Sequence, residues 1–147
     1  MINKIISKAP ARVCLFGDHQ DYLNLPIIAT TINRNIEVSA KNNHSRYLNI
    51  FKKDIGEYDQ INIDIDNDQN ETDLLKIALR VLKDYSCFPD KGYDIIITSN
   101  IPINSGLSSS SALIVAWVNF LLTTFTNKKV TSEILAEISY RIEVTEM

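Results

Sequence analysis

The chain contains a run of four serines that leads directly into a strongly apolar segment. Residues 101–112 read Ile-Pro-Ile-Asn-Ser-Gly-Leu-Ser-Ser-Ser-Ser-Ala, and apolar residues dominate from there to Leu122. A turn at Pro102 to Gly106 followed by such a segment predicts a helix that ends near Phe125. Because this helix is apolar on nearly every face, it must be central and buried, and the other elements must pack around it.

The start of this helix has the chemistry of an anion site. Helix starts carry unpaired backbone N–H groups and the positive end of the helix dipole. They hold phosphate without a charged side chain, and serine hydroxyls can add hydrogen bonds or an oxygen ligand for magnesium. The stretch therefore indicates a nucleotide-phosphate site. Two alternatives remain open, a flexible serine linker and a plain serine N-cap.

Length and composition indicate one domain and exclude several classes of protein. The chain has 147 residues, 45% of them hydrophobic, and a net charge of −3. The acidic balance and the lack of a basic run disfavour nucleic-acid binding. Two cysteines, Cys14 and Cys87, fit a reducing compartment, so we expect a cytoplasmic protein. The longest apolar stretch, 112–122, is too short to span a membrane, and we expect no membrane partner.

Alternating apolar and polar residues predict several strands. Ile36, Val38 and Ala40 alternate with polar residues, which is typical of a half-buried strand, although Arg34 leaves the register near it open. Residues 4–7 and 11–17 are interpreted as two short strands on either side of Ala9-Pro10. Further strands are predicted at 47–52, 61–65 and 93–98.

Helical spacing predicts two more helices. Leu75, Leu79 and Leu82 follow a cap at Asn70 or Thr72. A last helix is expected to be capped by Thr131 or Ser132 and to bury Ile134, Leu135, Ile138 and Ile142. Strands followed by helices predict an α+β fold, with helices packed on one face of a mostly antiparallel sheet.

The helical pattern continues from residue 141 to residue 147 without a glycine cap or a proline stop. We therefore expect residues 1–147 to be a truncated or partial gene product, and a frayed natural terminus is the alternative.

A second polar cluster lies near the start of the chain. Residues 9–22 read Ala-Pro-Ala-Arg-Val-Cys-Leu-Phe-Gly-Asp-His-Gln-Asp-Tyr. Asp18, His19 and Asp21 could hydrogen-bond several hydroxyls of one small polyol. The alternative is a simple turn, because Gly and Asp favour turns. For Arg12, the alternative to a specific role is an ion pair with one of these aspartates.

Together the two clusters resemble the GHMP kinases, named for galactokinase, homoserine kinase, mevalonate kinase and phosphomevalonate kinase. Pro102-x-x-x-Gly106-Leu107-Ser-Ser-Ser is similar to the phosphate loop of that family. Residues 9–22 resemble the galactokinase signature at Arg12, Gly17, His19, Asp21 and Tyr22. Cys14, Asp18 and Gln20 depart from the asparagine, glutamate and threonine that are common there. The resemblance covers effectively the whole chain.

The resemblance implies a GHMP kinase N-terminal domain of ribosomal-protein-like architecture, with ATP and Mg²⁺ as cofactors. The magnesium ligands would be Ser110 and Glu143, with Glu146 as a competitor for the second role. Arg12 would lie near the transferred phosphoryl group as a catalytic residue. The implied sugar ligands are Asp18, His19, Asp21 and Tyr22, and the implied ATP ligands are Pro102, Gly106, Leu107, Ser108, Ser109, Ser110 and Ser111.

The implied activity is that of an ATP-dependent sugar kinase, which transfers the γ-phosphoryl group to a monosaccharide hydroxyl. In the family, the catalytic aspartate follows the glutamate, which would place it past Met147, and a second domain completes the cleft. The chain alone is therefore predicted to be inactive or nearly so, and to self-associate through exposed apolar surface. The alternatives are a kinase of another small alcohol, of mevalonate or homoserine type, and a non-catalytic binding module.

Overall fold

The computed structural model describes residues 4–20, 23–64, 72–102 and 105–145. They form five strands, three helices and a closing π-helical turn. The strands are β1 (Lys4–Phe16), β2 (Ile28–Asn42), β3 (Tyr47–Lys52), β4 (Glu57–Asn62) and β5 (Tyr93–Ser99). The helices are α1 (Leu74–Lys83), α2 (Ser109–Phe125) and α3 (Ser132–Tyr140), and the π-helical turn is Arg141–Thr145.

The strands form one sheet in the order β1-β2-β5-β3-β4. Every neighbouring pair is antiparallel except β3 and β5, which run parallel. Ile36, Val38 and Ala40 of β2 are buried in the same core as the helices. The predicted α+β fold with a mostly antiparallel sheet is thus confirmed.

Helix α2 lies at the centre of the core, as its composition predicted. Trp117 and Phe120 are fully buried, and the Trp117 indole N–H donates to the Leu75 carbonyl at 3.1 Å, which links α2 to α1. Asn119, the polar residue within the apolar stretch, donates to the Ser7 hydroxyl at 3.0 Å. Its amide is therefore satisfied inside the fold.

Several predicted boundaries differ from the structure. The two short strands expected at 4–7 and 11–17 are one strand, whose register with β2 shifts between Pro10 and Arg12. Proline is tolerated there because β1 is an edge strand of the sheet. The strand expected at 61–65 is β4, which ends at Asn62; residue 65 and the predicted loop at 66–70 lie outside the described residues.

The residue that caps each helix could be assigned only from the structure. Asp73, rather than Thr72, caps α1, because its carboxylate accepts from the backbone N–H groups of Leu75 and Lys76; Asn70 lies outside the described residues. Thr131 caps α3 as expected. Of the predicted α3 stripe, Ile138 and Ile142 are buried and Leu135 is half-buried, whereas Ile134 is exposed. No helix within the described ranges has the length and apolarity needed to cross a bilayer.

Candidate functional site

The loop before α2 has an unusual backbone. Gly106 (φ +67°) and Ser108 (φ 56°) both adopt the left-handed conformation, which is uncommon for a residue with a side chain. The Ser108 carbonyl accepts from the Ala112 N–H at 3.1 Å and so begins the helix. Its hydroxyl, however, makes no capping hydrogen bond. A plain serine N-cap therefore does not describe this helix start.

The surroundings of Gly106 are open. A Cβ added at Gly106 would have no neighbouring atom within 4 Å. A ligand could therefore approach the backbone at this position. Ser109 and Ser110, the first residues of α2, are exposed next to this space. The loop therefore presents backbone N–H groups and hydroxyls at an accessible helix start, which is the geometry that binds anions.

The two residues expected to share a metal ion lie side by side. The Ser110 hydroxyl donates to Glu143 Oε1 at 2.7 Å. Ser111, expected only among the ATP ligands, also contacts this carboxylate, with its Oγ 3.0 Å from Oε1 and 2.8 Å from Oε2. The fold thus brings a glutamate from the end of the described chain onto the helix start of α2.

The π-helical turn after α3 carries Glu143 to this position. Ile142 is fully buried and anchors the turn in the core. On the neighbouring residue, Arg141 forms an ion pair with Asp84, at the end of α1, with 2.8 Å between Nη2 and Oδ2. Such widened turns inside helices occur frequently at functional sites. Glu143 is half-buried and therefore held against α2 rather than free in solvent.

A cavity of about 340 Å³ opens beside Ser109 and Ser110. Its wall is mostly apolar, and residues of β2, β3, β5 and the turn after β3 contribute to it. Besides the two serines it is lined by Ile36, Lys52, Asp54, Ile55, Leu74, Ile97, Ser99, Ile101, Pro102 and Leu113. Sequence reasoning missed most of these residues, because only the folded sheet brings them to the helix start.

Lys52 is the cation of this cavity. Its ammonium group lies 2.8 Å from Asp59 and 3.5 Å from Glu57. Burial works to lower the pKa of Lys52, but the hydrogen bond and the charge of Asp59 outweigh it, and the pKa is raised. Lys52 therefore remains charged at neutral pH.

Arg12 meets the serine loop through its backbone. Its N–H donates to the Leu107 carbonyl at 3.2 Å, which joins β1 to the residue just before the serines. The side chain is exposed, and no ion pair links it to another described residue. Asp18 lies instead 3.9 Å from His19 on the exposed loop. Within the described chain, Arg12 is thus near the helix start and available to a ligand.

Residues 17–20, within the described part of the second polar cluster, form a tight turn. Gly17 has φ +88°, and a Cβ there would lie 2.9 Å from the Pro26 carbonyl, so the position requires glycine. His19 is also left-handed (φ 66°), and the Gln20 N–H donates to the Gly17 carbonyl at 3.0 Å. Asp21, Tyr22 and the competitor Glu146 lie outside the described residues.

The residues at the helix start fit a magnesium ion. Mg²⁺ takes oxygen ligands and is commonly held by one or two carboxylates together with substrate phosphates. Ser110 and Glu143 supply a hydroxyl and a carboxylate 2.7 Å apart. Among the described residues, no three His, Cys, Asp or Glu side chains come together. An ion held there by Ser110 and Glu143 could complete its coordination with phosphate oxygens and water, as Mg²⁺ commonly does.

Two family models match the chain. The model described as "GHMP kinases N terminal domain" matches residues 73–146, and the "Galactokinase galactose-binding signature" matches residues 2–42. The first match includes the serine loop and Glu143, and the second includes Arg12 and the Asp18-His19 turn.

Curated relatives include both sugar and mevalonate kinases. A galactokinase of Haemophilus influenzae (strain PittGG) is 32% identical over 74% of this chain and 29% of its own length. A mevalonate kinase of Thermococcus sibiricus is 30% identical over 96% of this chain and 45% of its own length. The chain thus spans less than half the length of these relatives.

Solved structures show the same fold. The mevalonate kinase of Methanococcus jannaschii superposes with a TM-score of 0.84 at 24% identity, covering 96% of this chain and 46% of that one. The Lactococcus lactis galactokinase in complex with galactose gives a TM-score of 0.78 at 22% identity, covering 96% and 37%. The match of residues 73–146 to the family model shows that the chain belongs to the GHMP kinase family, and it carries that family's N-terminal domain together with a galactokinase-type galactose-binding signature.

Proposed function

We propose that the chain is the ATP-binding part of a kinase that transfers the γ-phosphoryl group of ATP to a hydroxyl of a monosaccharide. The observation that carries this proposal is the contact of Ser110 with Glu143 at the open start of α2. This contact places two potential magnesium ligands, Ser110 and Glu143, at a helix start whose geometry suits phosphate. Phosphoryl transfer depends mainly on positioning and on charge neutralisation, which such a site supplies.

The triphosphate would lie over the helix start. The backbone N–H groups that follow Gly106, with the hydroxyls of Ser108 and Ser109, would hold its oxygens, and Leu107 would fix the loop by packing against the core. Mg²⁺, held by Ser110 and Glu143, would neutralise phosphate charge. The exposed Arg12 guanidinium would approach the transferred group from β1. The apolar cavity bordered by Pro102 has room for the nucleobase.

A charge placed at the helix start tests the phosphate site. Asp in place of Ser109 should leave α2 as stable or slightly more stable, because an acidic residue favours a helix N-terminus. It should nevertheless weaken ATP binding by about tenfold, roughly 1.4 kcal/mol, since the carboxylate repels the triphosphate. Calorimetric titration of the chain with ATP measures this effect.

The matched control is Ser132→Asp, which places the same charge at the exposed start of α3. It should have the same small effect on the melting temperature and none on ATP binding. Equal ATP affinity in the Ser109 and Ser132 variants would remove the proposed phosphate site.

A sugar is favoured as the acceptor because the galactose-binding signature covers residues 2–42. In it, Asp18 and His19 lie exposed on a turn that Gly17 fixes, and neither is needed by the core. We propose that Asp18, His19, Asp21 and Tyr22 bind the sugar hydroxyls. A mevalonate-type acceptor is the second candidate, because mevalonate kinases match 96% of the chain.

The substitution Asp18→Asn tests whether the acceptor is a sugar or a mevalonate-type alcohol. A hydrogen bond to a charged group contributes about 1.5–3 kcal/mol, so the variant should bind galactose at least about tenfold more weakly, with unchanged ATP affinity. Saturation-transfer NMR of the chain with galactose and with mevalonate provides the measurement. Mevalonate binding without galactose binding would overturn the sugar assignment.

We further propose that residues 1–147 act as an N-terminal part that requires a second domain for turnover. Exposed apolar side chains on both sides of the turn at residues 17–20 support this proposal, because monomeric proteins rarely expose a large contiguous apolar patch. They are Leu15, Phe16, Leu23, Leu25, Ile27 and Ile28. The chain alone should therefore bind ATP with little or no transfer to a sugar, and it should self-associate through this surface.

A further inference from the structure

We propose that Ser111 is a positioning residue, which orients the Glu143 carboxylate toward Ser110 rather than binding ATP itself. This inference rests on the proposed function, because it assigns Glu143 to the metal. It concerns a side chain that the resemblance placed only among the phosphate ligands.

The hydrogen-bond geometry separates Ser111 from its neighbour. The Ser110 hydroxyl meets one carboxylate oxygen of Glu143, Oε1, at 2.7 Å. Ser111 Oγ lies 2.8 Å from Oε2 and 3.0 Å from Oε1. A hydroxyl has one hydrogen to donate, so Ser111 shares it between the two oxygens. Its shorter contact restrains Oε2, the oxygen that Ser110 does not touch.

The two serines also differ in their surroundings. Ser110 is exposed and lines the cavity, whereas Ser111 is half-buried and is not part of the cavity wall. Glu143 is half-buried as well. The Ser111 contact is therefore partly shielded from solvent, and a hydrogen bond to a carboxylate is stronger there than on an open surface. A phosphate bound over the helix start would meet the exposed Ser109 and Ser110.

The backbone supports Glu143 from the opposite side. Ile142 anchors the π-helical turn in the core, and the Arg141–Asp84 ion pair ties it to the end of α1. These contacts fix the backbone of residue 143, but they leave its carboxylate free to rotate. Ser111 is the described side chain that contacts both carboxylate oxygens, and so it sets their orientation.

The test compares Ser111→Ala with Ser111→Thr, which keeps the hydroxyl. Mn²⁺ serves as the metal probe, and its binding to the chain with a non-hydrolysable ATP analogue is followed by electron paramagnetic resonance. Loss of a group that orients a metal ligand typically weakens metal binding by about tenfold or more. We expect Ser111→Ala to bind Mn²⁺ about tenfold more weakly or worse, and Ser111→Thr to bind it with wild-type affinity. In EDTA, both variants should bind the ATP analogue with equal affinity. Thr123→Ala, an exposed position of the same helix, should resemble wild type.

A second measurement needs neither metal nor nucleotide. The melting-temperature shifts of Ser111→Ala, Glu143→Ala and the double variant in EDTA should be non-additive, because each single change removes the same contact between Ser111 and the Glu143 carboxylate. Additive shifts, unchanged Mn²⁺ affinity, or a parallel loss of analogue binding in EDTA would each overturn the positioning role. If the wild-type chain binds no analogue, the proposed function fails, and the EDTA cycle alone then decides whether Ser111 holds Glu143.

Discussion

Replacing Glu143 by Gln is expected to weaken Mn²⁺ binding in the complex with a non-hydrolysable ATP analogue by about a hundredfold, roughly 2.7 kcal/mol. Glutamine keeps the size of the side chain and can still accept a hydrogen bond from Ser110, so the change removes mainly the charge. Two unit charges 4 Å apart attract each other by about 4 kcal/mol at an effective dielectric constant near 20. A loss of the expected size therefore lies within what one carboxylate supplies.

Glu137→Gln is the matched control, because it removes the same charge from an exposed position of α3. It should leave Mn²⁺ affinity unchanged, while both variants keep wild-type circular dichroism. Unchanged affinity in Glu143→Gln would contradict the metal assignment. The same titration with Glu146→Gln would then show whether the neighbouring glutamate is the ligand.

Much of the fold could be predicted from local pattern. Strand β3 was predicted with its observed bounds, and β5 ends one residue later than predicted. The strongly apolar α2 ends at Phe125 as expected. Each of these segments packs against the core, so its pattern of apolar residues shows which side chains are buried and hence which element it forms.

The boundaries that failed depend on partners distant in sequence. Alternating isoleucines suggested a strand at 61–65, but β4 pairs with β3 from Lys52 opposite Glu57 onward. The intervening turn, with Gly56 at φ +69°, fixes where that pairing starts. Likewise, Pro10 suggested a break in β1, yet an edge strand accommodates proline at a register shift.

The candidate site was predictable in part. The serine loop follows from the residues, because four hydroxyls precede an apolar helix. The pairing of Ser110 with Glu143 followed only from the family resemblance, and the structure brings the two together. The contact of Ser111 with Glu143 was not predictable, because it depends on a π-helical turn at 141–145 and on how that turn packs against α2.

Replacing Trp117 by Ala is expected to lower the free energy of unfolding by about 3–5 kcal/mol, the usual cost of removing a large buried aromatic side chain. Trp117 is fully buried, and its N–H donates to the Leu75 carbonyl. Small domains are stable by about 5–15 kcal/mol, so much of the native population would be lost. Urea denaturation should be followed by circular dichroism, because Trp117 is the only tryptophan.

Tyr140→Ala is the control, since this aromatic side chain is 64% exposed and its loss should cost little. Trp117→Phe separates ring packing from the hydrogen bond, because it keeps an aromatic ring but removes the N–H that donates to the Leu75 carbonyl, a loss of about 0.5–1.5 kcal/mol. If Trp117→Ala were as stable as Tyr140→Ala, α2 could not be the central helix. The serines at its start would then lack the rigid support that a phosphate site requires, because the helix that Trp117 anchors carries them.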